Sequence, residues 1–233
     1  MTIAIRQARS DSAAGDAIRQ MMPAAVGVVP FAIMIGVAIG ESPLSDVVGF
    51  FGGLIVAGGS AHLAAAGSIS AGAGLAATVT TALLVNARGL LYGAALAPDL
   101  RDQPTWFRWV AAYGLVDQMY ALVSSVTSRG AEYVRSFYLA AMTLLFGTYM
   151  AGVGTGLLLG PVIPAWVPLS LSIPIMFTAM LAPTVEARPA MVAAVAGAGV
   201  TMLGAQLPSG MGLVAGIVAG ALSGAAIERF GDA

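Results

Sequence analysis

Apolar residues run through this chain in blocks of about 20, parted by short polar or Pro/Gly-rich breaks, and that spacing predicts helices that cross a lipid bilayer. The first block extends from Met21 to Gly40, with Pro23 and Pro30 as expected kinks, and ends at the polar turn Glu41 to Ser45. Residues 46–74 are too long for one perpendicular helix and are interrupted by Gly58, Gly59, Ser60 and His62. They read either as one tilted or broken helix, or as two pieces with a re-entrant turn. Further spans are expected at 75–97, 107–127, 136–159, 166–183, 190–207 and 211–228. The pattern predicts an all-α polytopic membrane protein with seven or eight transmembrane helices, at least one of them broken or re-entrant. Residues 1–20 form a cytoplasmic, partly helical lead-in, 21–228 a single transmembrane domain and 229–233 a C-terminal tail. Broken apolar stretches followed by longer helices that end at Pro98 and at Pro208 suggest an internal repeat. Pro161, Pro164, Pro168, Pro174 and Pro183 point to a second broken helix.

Composition supports the assignment to lipid. Of 233 residues, 58% are hydrophobic and 9% charged, and the mean hydropathy is +0.89. The 30 Gly suit helices that associate by close backbone approach. Twelve Met are scattered and read as packing, while Trp106, Trp109 and Trp166 fall near expected span ends. A net charge of -1 with no basic patch argues against nucleic acid. The lack of cysteine removes disulfides, thiolate chemistry and sulfur-bound zinc, and a single His without an acidic cluster argues against a metal site or resident cofactor. The N-terminal 20 residues do not resemble a signal peptide.

Arg residues in short loops set the expected orientation. If every segment crosses and the N-terminus is inside, Arg6, Arg9, Arg19, Arg129, Arg135, Arg188 and Arg229 are cytoplasmic, and Arg101 and Arg108 lie outside. If the 46–74 stretch does not complete a crossing, the later loops change sides.

Three ionisable residues interrupt the apolar blocks: His62, Arg88 and Asp117. A charge at the bilayer centre costs roughly 2.5–3.5 kcal/mol on insertion scales, and such residues face a cavity, a partner or a transport path. Arg88 is a fixed cation suited to a carboxylate, with Tyr92 on its face at i, i+4. Asn86, two positions before Arg88, cannot share that face, since successive positions turn by 100°. Asp117, next to Gln118, has Tyr113 at i−4 and Tyr120 at i+3, giving one face two hydroxyls and a carboxylate able to hold an ammonium group or a proton. The pair Gly58–Gly59 before Ser60 can break a helix and expose backbone dipoles, and His62 can titrate near neutral pH. Each feature also has a bland reading: a snorkelling Arg, a fixed Arg88–Asp117 pair that ties helices, a packing histidine. Ser60 and His62 diverge at i, i+2 with no carboxylate to orient the imidazole, which disfavours an intramembrane hydrolase.

The series P-x-x-x-G-x-x-P-F-A-x-x-x-G from Pro23 to Gly36, A-G-G-S-A-H from Ala57 to His62, N-A-R from Asn86 to Arg88 followed by L-L-Y-G, the mid-span Asp117 and L-P-S-G-x-G-L-V-A from Leu207 to Ala215 resembles the AzlC-type branched-chain amino acid permeases. The resemblance implies a multi-pass protein of the bacterial inner membrane, not an enzyme. It implies a secondary transporter that exports leucine, isoleucine and valine, and in some members methionine, driven by protons and working with a small AzlD-type membrane subunit. Transferred by motif, the substrate-binding positions are Ser60, His62, Asn86, Arg88, Asp117 and Gln118, joined by Tyr113 and Tyr120 from the residue pattern. Asp117 and His62 are the proton-coupling candidates. The family usually shows Gln at the position of His62 and an acidic residue at that of Gln118. The alternative is a channel or noncatalytic membrane assembly subunit whose buried charges only hold helices together.

Overall fold

The computed structural model describes residues 2–162, 164, 185, 188–204 and 211–231, and among these the regular elements are helical. In order they are α1 (Thr2–Gly40), α2 (Asp46–Val56), α3 (Gly59–Ser70), α4 (Leu75–Asn86), α5 (Arg88–Leu100), α6 (Thr105–Tyr113), α7 (Asp117–Ser124), α8 (Ala131–Leu159), α9 (Arg188–Leu203) and α10 (Met211–Gly231). The chain divides into two compact units, Met1–Met176 and Phe177–Ala233.

The first unit is built on α1 and α8. Along α1, Ala17, Met21, Val28, Phe31, Ile35 and Ile39 recur at helical spacing as a buried stripe. Val134, Phe137, Ala141, Leu145, Tyr149 and Val153 do the same along α8. The two helices run parallel. At one end the Tyr133 hydroxyl donates to Asp16 at 2.8 Å, and toward the other a Cβ placed on Gly152 would lie 2.6 Å from the Ala32 methyl. Gly36 and Gly156 complete this seam, since a Cβ on either would strike the partner's backbone carbonyl at Val153 or Ile33. Apolar side chains gain little by leaving lipid for protein, so close backbone approach is what holds such helices together. Arg129 lies 3.6 Å from Asp16 and stacks over the Tyr133 ring. The start of α1 and the turn before α8 therefore lie at the same end of the unit.

Two helical stretches are long and apolar enough to cross a membrane, Ala13–Gly40 and Ala131–Val162. The pair α4–α5, bent by 41°, makes a third if it counts as one span. The described residues thus supply two or three crossings where seven or eight were expected. The expected continuous spans 75–97 and 107–127 are each broken, at Ala87 and at Gly114–Val116. The 46–74 stretch takes the broken form, as α2 and α3. In contrast, α1 runs without interruption through Pro23 and Pro30. Trp106 and Trp109 project outward from the start of α6. Trp166, the proline-rich span at 166–183 and the LPSG segment at 207–210 lie outside the described residues.

The second unit contains a hairpin of small residues. A Cβ on Gly197 would approach the Gly216 carbonyl oxygen to 3.1 Å, and one on Gly220 the Ala193 carbonyl oxygen to 2.8 Å.

Candidate functional site

Three helix breaks converge in the first unit. At the first, α2 ends at Ala57 in the left-handed conformation (φ 51°) and α3 begins from extended Gly58. At the second, α4 and α5 share the turn at Ala87. At the third, α6 stops at Gly114 and α7 starts after Val116. Each break carries a polar residue of the sequence-predicted set at or next to a helix N-terminus: Ser60, Arg88 and Asp117.

These three meet. One Arg88 nitrogen lies 2.9 Å from an Asp117 carboxylate oxygen, and another donates to Ser60 Oγ at 2.7 Å. The other Asp117 oxygen accepts from the Tyr92 hydroxyl at 2.6 Å. The Tyr92 ring stacks on Tyr120, with centroids 4.7 Å apart. Asp117 is 9% exposed and Arg88 35%, so the carboxylate is enclosed while the guanidinium faces an opening. A charge-assisted pair braced by two hydroxyls is about twice as strong, bond for bond, as neutral hydrogen bonds.

The opening is a cleft of about 520 Å³ lined by Arg88, Asn86 and Tyr92, by the apolar Ile55, Leu90, Leu115 and Val116, and by the bare backbone of Gly89 and Gly93. Its volume falls in the range of small-molecule sites, roughly 300–1,000 Å³. An apolar wall with a few convergent polar groups at one side is the composition such sites have.

The breaks also revise the face arguments made from sequence. Asn86 and Arg88 line the same cleft, one on each side of the 41° bend at Ala87. Asn86 donates its amide to the Val56 carbonyl at 2.7 Å, occupying one of the free carbonyls that end α2. Tyr113 is not on the helix of Asp117: its hydroxyl donates to the Leu54 carbonyl, clamping α6 to α2 beside the cleft. Tyr120 keeps the expected i+3 relation to Asp117, and Gln118 is buried. Tyr92 was noted from sequence only as a neighbour of Arg88. Its spacing placed it beside the cation, but its bond to Asp117 crosses between two helices and has no local signal.

His62 lies elsewhere. It is 4% exposed, packed against Gly52 and Gly53 of α2. Nε2 donates to the Gly49 carbonyl at 2.9 Å, and Nδ1 is 2.7 Å from the Tyr149 hydroxyl of α8. The carbonyl can only accept, which fixes a proton on Nε2. Ser60 and His62 therefore face different partners, one Arg88 and the other the α2–α8 contact. Gly58 and Gly59 matter for close approach, not for positive φ. A Cβ on Gly58 would crowd the Asn86 side chain, one on Gly59 would sit 2.7 Å from the Phe31 ring, and the left-handed residue is Ala57. Among the described residues no group of His, Asp and Glu could hold a metal ion.

No curated protein and no solved structure matches this chain. The family model described as AzlC protein does match, over residues 23–163, more than half of the sequence and the part that carries Ser60, Arg88, Tyr92, Asp117 and the cleft beside them. The chain is a member of the AzlC family, a membrane protein of a transport-related family.

Proposed function

We propose that this protein exports branched-chain amino acids, leucine, isoleucine and valine with methionine as a further substrate, across the bacterial inner membrane, and that the cleft at the three helix breaks is the substrate site. The observation that carries the proposal is the Arg88–Asp117 pair, whose Arg88 lines a cleft with largely apolar walls. An amino acid zwitterion needs one cation, one anion and an apolar surface within a few ångströms of each other. In the empty protein the two charges neutralise one another. An entering substrate divides them, its carboxylate taking Arg88 and its ammonium taking Asp117. The N-termini of α3, α5 and α7 add backbone N–H groups that favour a carboxylate. Restoring the pair after release leaves no net charge in the emptied site, which suits a carrier that must return through a low-dielectric environment.

Asp117 is the better of the two proton-coupling candidates, because it touches both Arg88 and Tyr92 at the cleft while His62 is committed to Gly49 and Tyr149. A small AzlD-type membrane subunit as partner is part of the same proposal and rests on family membership.

Replacing Arg88 by Ala or Asp117 by Asn removes one half of the zwitterion contact. Truncating one partner of a buried charge pair costs about 2–5 kcal/mol, so export is expected to fall at least ~30-fold in leucine- or valine-resistance assays while the protein stays in the membrane. Normal export by both variants would eliminate the site.

The same contacts also suit a clasp that only holds α3, α5 and α7 together, since each charged group already has partners within the protein. The exchange Arg88→Asp with Asp117→Arg separates the two. Recovered activity supports the clasp, and stable inactive protein supports substrate contact.

A further inference from the structure

Helices α6 and α7 hold 9 and 8 residues, so each is about 13 Å long, less than half of the roughly 30 Å hydrocarbon core. Neither can cross alone, and their contacts show that they do not cross as a pair. The loop before α6 lies at the base of α8, where the Gln103 amide donates to the Ala131 carbonyl at 2.7 Å. The turn after α7 returns to that same base, where Arg129 donates to the Tyr133 hydroxyl at 2.7 Å and lies 3.6 Å from Asp16. Between these two ends α6 climbs along α8. The Ala111 carbonyl accepts from the Tyr138 hydroxyl at 2.7 Å, and the Tyr113 ring lies 6.0 Å from that of Phe146. The turn at Gly114–Val116 is therefore the tip of a hairpin, held where Tyr113 reaches the Leu54 carbonyl and Asp117 reaches Arg88.

The hairpin α2–α3 comes from the other end. Its first helix starts beside the end of α1, with Gly49 packed on Ile39, and α3 folds back along it, since His62 lies beside Gly49 and Gly53. The bent pair α4–α5 joins the two levels, Asn86 at the Val56 carbonyl and Gln103, just past α5, at Ala131. Arg19, Arg101, Arg108, Arg129 and Arg135 thus gather at one end of the unit, while the other carries Glu41 and Asp46 and, among the described residues, no Arg. The sequence placed Arg101 and Arg108 opposite Arg129 because it counted 46–74 and 107–127 as crossings. Two returning hairpins in place of two crossings put all five on one face, the cytoplasmic one by the rule for Arg in short loops.

We propose that α6–α7 is a re-entrant hairpin that enters and leaves through this Arg-bearing face and is the gate between that face and the cleft. The gate rests on the assignment of the cleft as the substrate site. Ala112, Tyr113, Leu115 and Val116 of the hairpin wall the cleft, so its withdrawal opens the cleft toward the base of α8. Withdrawal also takes Asp117 from Arg88, whereas Ser60, the other partner of Arg88, belongs to the hairpin from the opposite face. Each face therefore reaches the same guanidinium past a different hairpin. The Tyr113 hydroxyl, bound to the Leu54 carbonyl, latches one tip to the other.

The chain has no cysteine, so single-cysteine variants of the full-length protein report each position to a membrane-impermeant maleimide in intact cells and in inside-out vesicles. Asp102→Cys and Ser128→Cys, at the two ends of α6–α7, are expected to label from the same face, and Glu41→Cys and Ala71→Cys from the opposite one. Labelling of positions 102 and 128 from different faces overturns the hairpin and leaves the Arg88–Asp117 site standing. No amino acid is needed for this readout, so failure of the wild-type protein to export leucine or valine overturns the substrate site and not the hairpin. The latch is tested in the Val116→Cys background. One hydrogen bond weights an opening equilibrium by about fivefold, so Tyr113→Phe is expected to speed labelling of position 116 from the Arg-bearing face about fivefold, with the rate at position 128 unchanged. An unchanged rate at 116 overturns the gate.

Discussion

The α1–α8 seam and the α2–α7 cleft region are made from nearly the same residues, Gly, Ala and aliphatic side chains, yet they do opposite things. In the seam two long parallel helices approach until glycine faces backbone, and the aromatic contact of Tyr149 with His62 locks α3 and α2 against it. In the cleft region six helices of 8 to 13 residues break before they could cross the bilayer, and the breaks gather the polar residues. In the first case glycines let two long helices touch along their backbones, and in the second they let side chains close in on the breaks, Asn86 on Gly58 and Met142 on Gly114. Composition alone does not distinguish a scaffold from a site. What distinguishes them is whether the helices run on or break.

That contrast can be broken most severely in the seam. Gly156→Leu drives a side chain into the α1 backbone at Ile33, where two rigid helices cannot yield. Loss of more than about 4 kcal/mol is expected, read as failure to accumulate in the membrane and loss of a cooperative thermal transition. Near-normal accumulation would mean that the seam is looser than its geometry.

An intermediate effect is expected at His62, on the boundary between the two regions. His62→Ala removes hydrogen bonds to Gly49 and Tyr149 and leaves a void beside Gly53, destabilising the protein by about 2–4 kcal/mol. Export per folded molecule should stay within about twofold if the residue belongs to packing, as its burial and partners indicate. Loss of proton-driven export with unchanged thermal stability would transfer His62 to the transport machinery.

The smallest effect is expected at Ala57, the non-glycine residue with positive φ among the described residues, which ends α2 at the edge of the cleft. A left-handed L-residue costs roughly 1–2 kcal/mol, and Ala57→Gly is expected to raise stability by about 1 kcal/mol, measured as a higher melting temperature in detergent. A lower melting temperature would show that the strained turn is compensated by contacts the glycine variant loses.

How much of this was legible in the chain varies with how local the cause is. The end of α1 at Gly40, the polar turn to Ser45, the end of α8 at Leu159 and the break in the 46–74 stretch follow from runs of apolar residues and from Pro, Gly and Ser at known offsets. The breaks at Ala87 and Gly114–Val116 did not follow. Ala87 is a good helix former, and a turn at that position is set by what Asn86 and Arg88 each reach: the Val56 carbonyl on one side and Ser60 with Asp117 on the other. Tyr113 changed its role for the same reason, since a helix that stops at Gly114 cannot carry a face from Tyr113 to Asp117.

The sequence by itself determined that the chain belongs in lipid and that its rare charges are the chemistry worth following. Solvation decides both, residue by residue, because an unpaired charge in hydrocarbon has nowhere to hide. It also supplied the motif order that marks the AzlC family. Only the tertiary structure decided which face of each apolar helix is buried, because a helix that is apolar all round has no amphipathic stripe to read. Only it separated His62 from the cleft and brought Ser60, Arg88, Tyr92 and Asp117 together, because those contacts join residues 25 to 29 positions apart whose helices must first break.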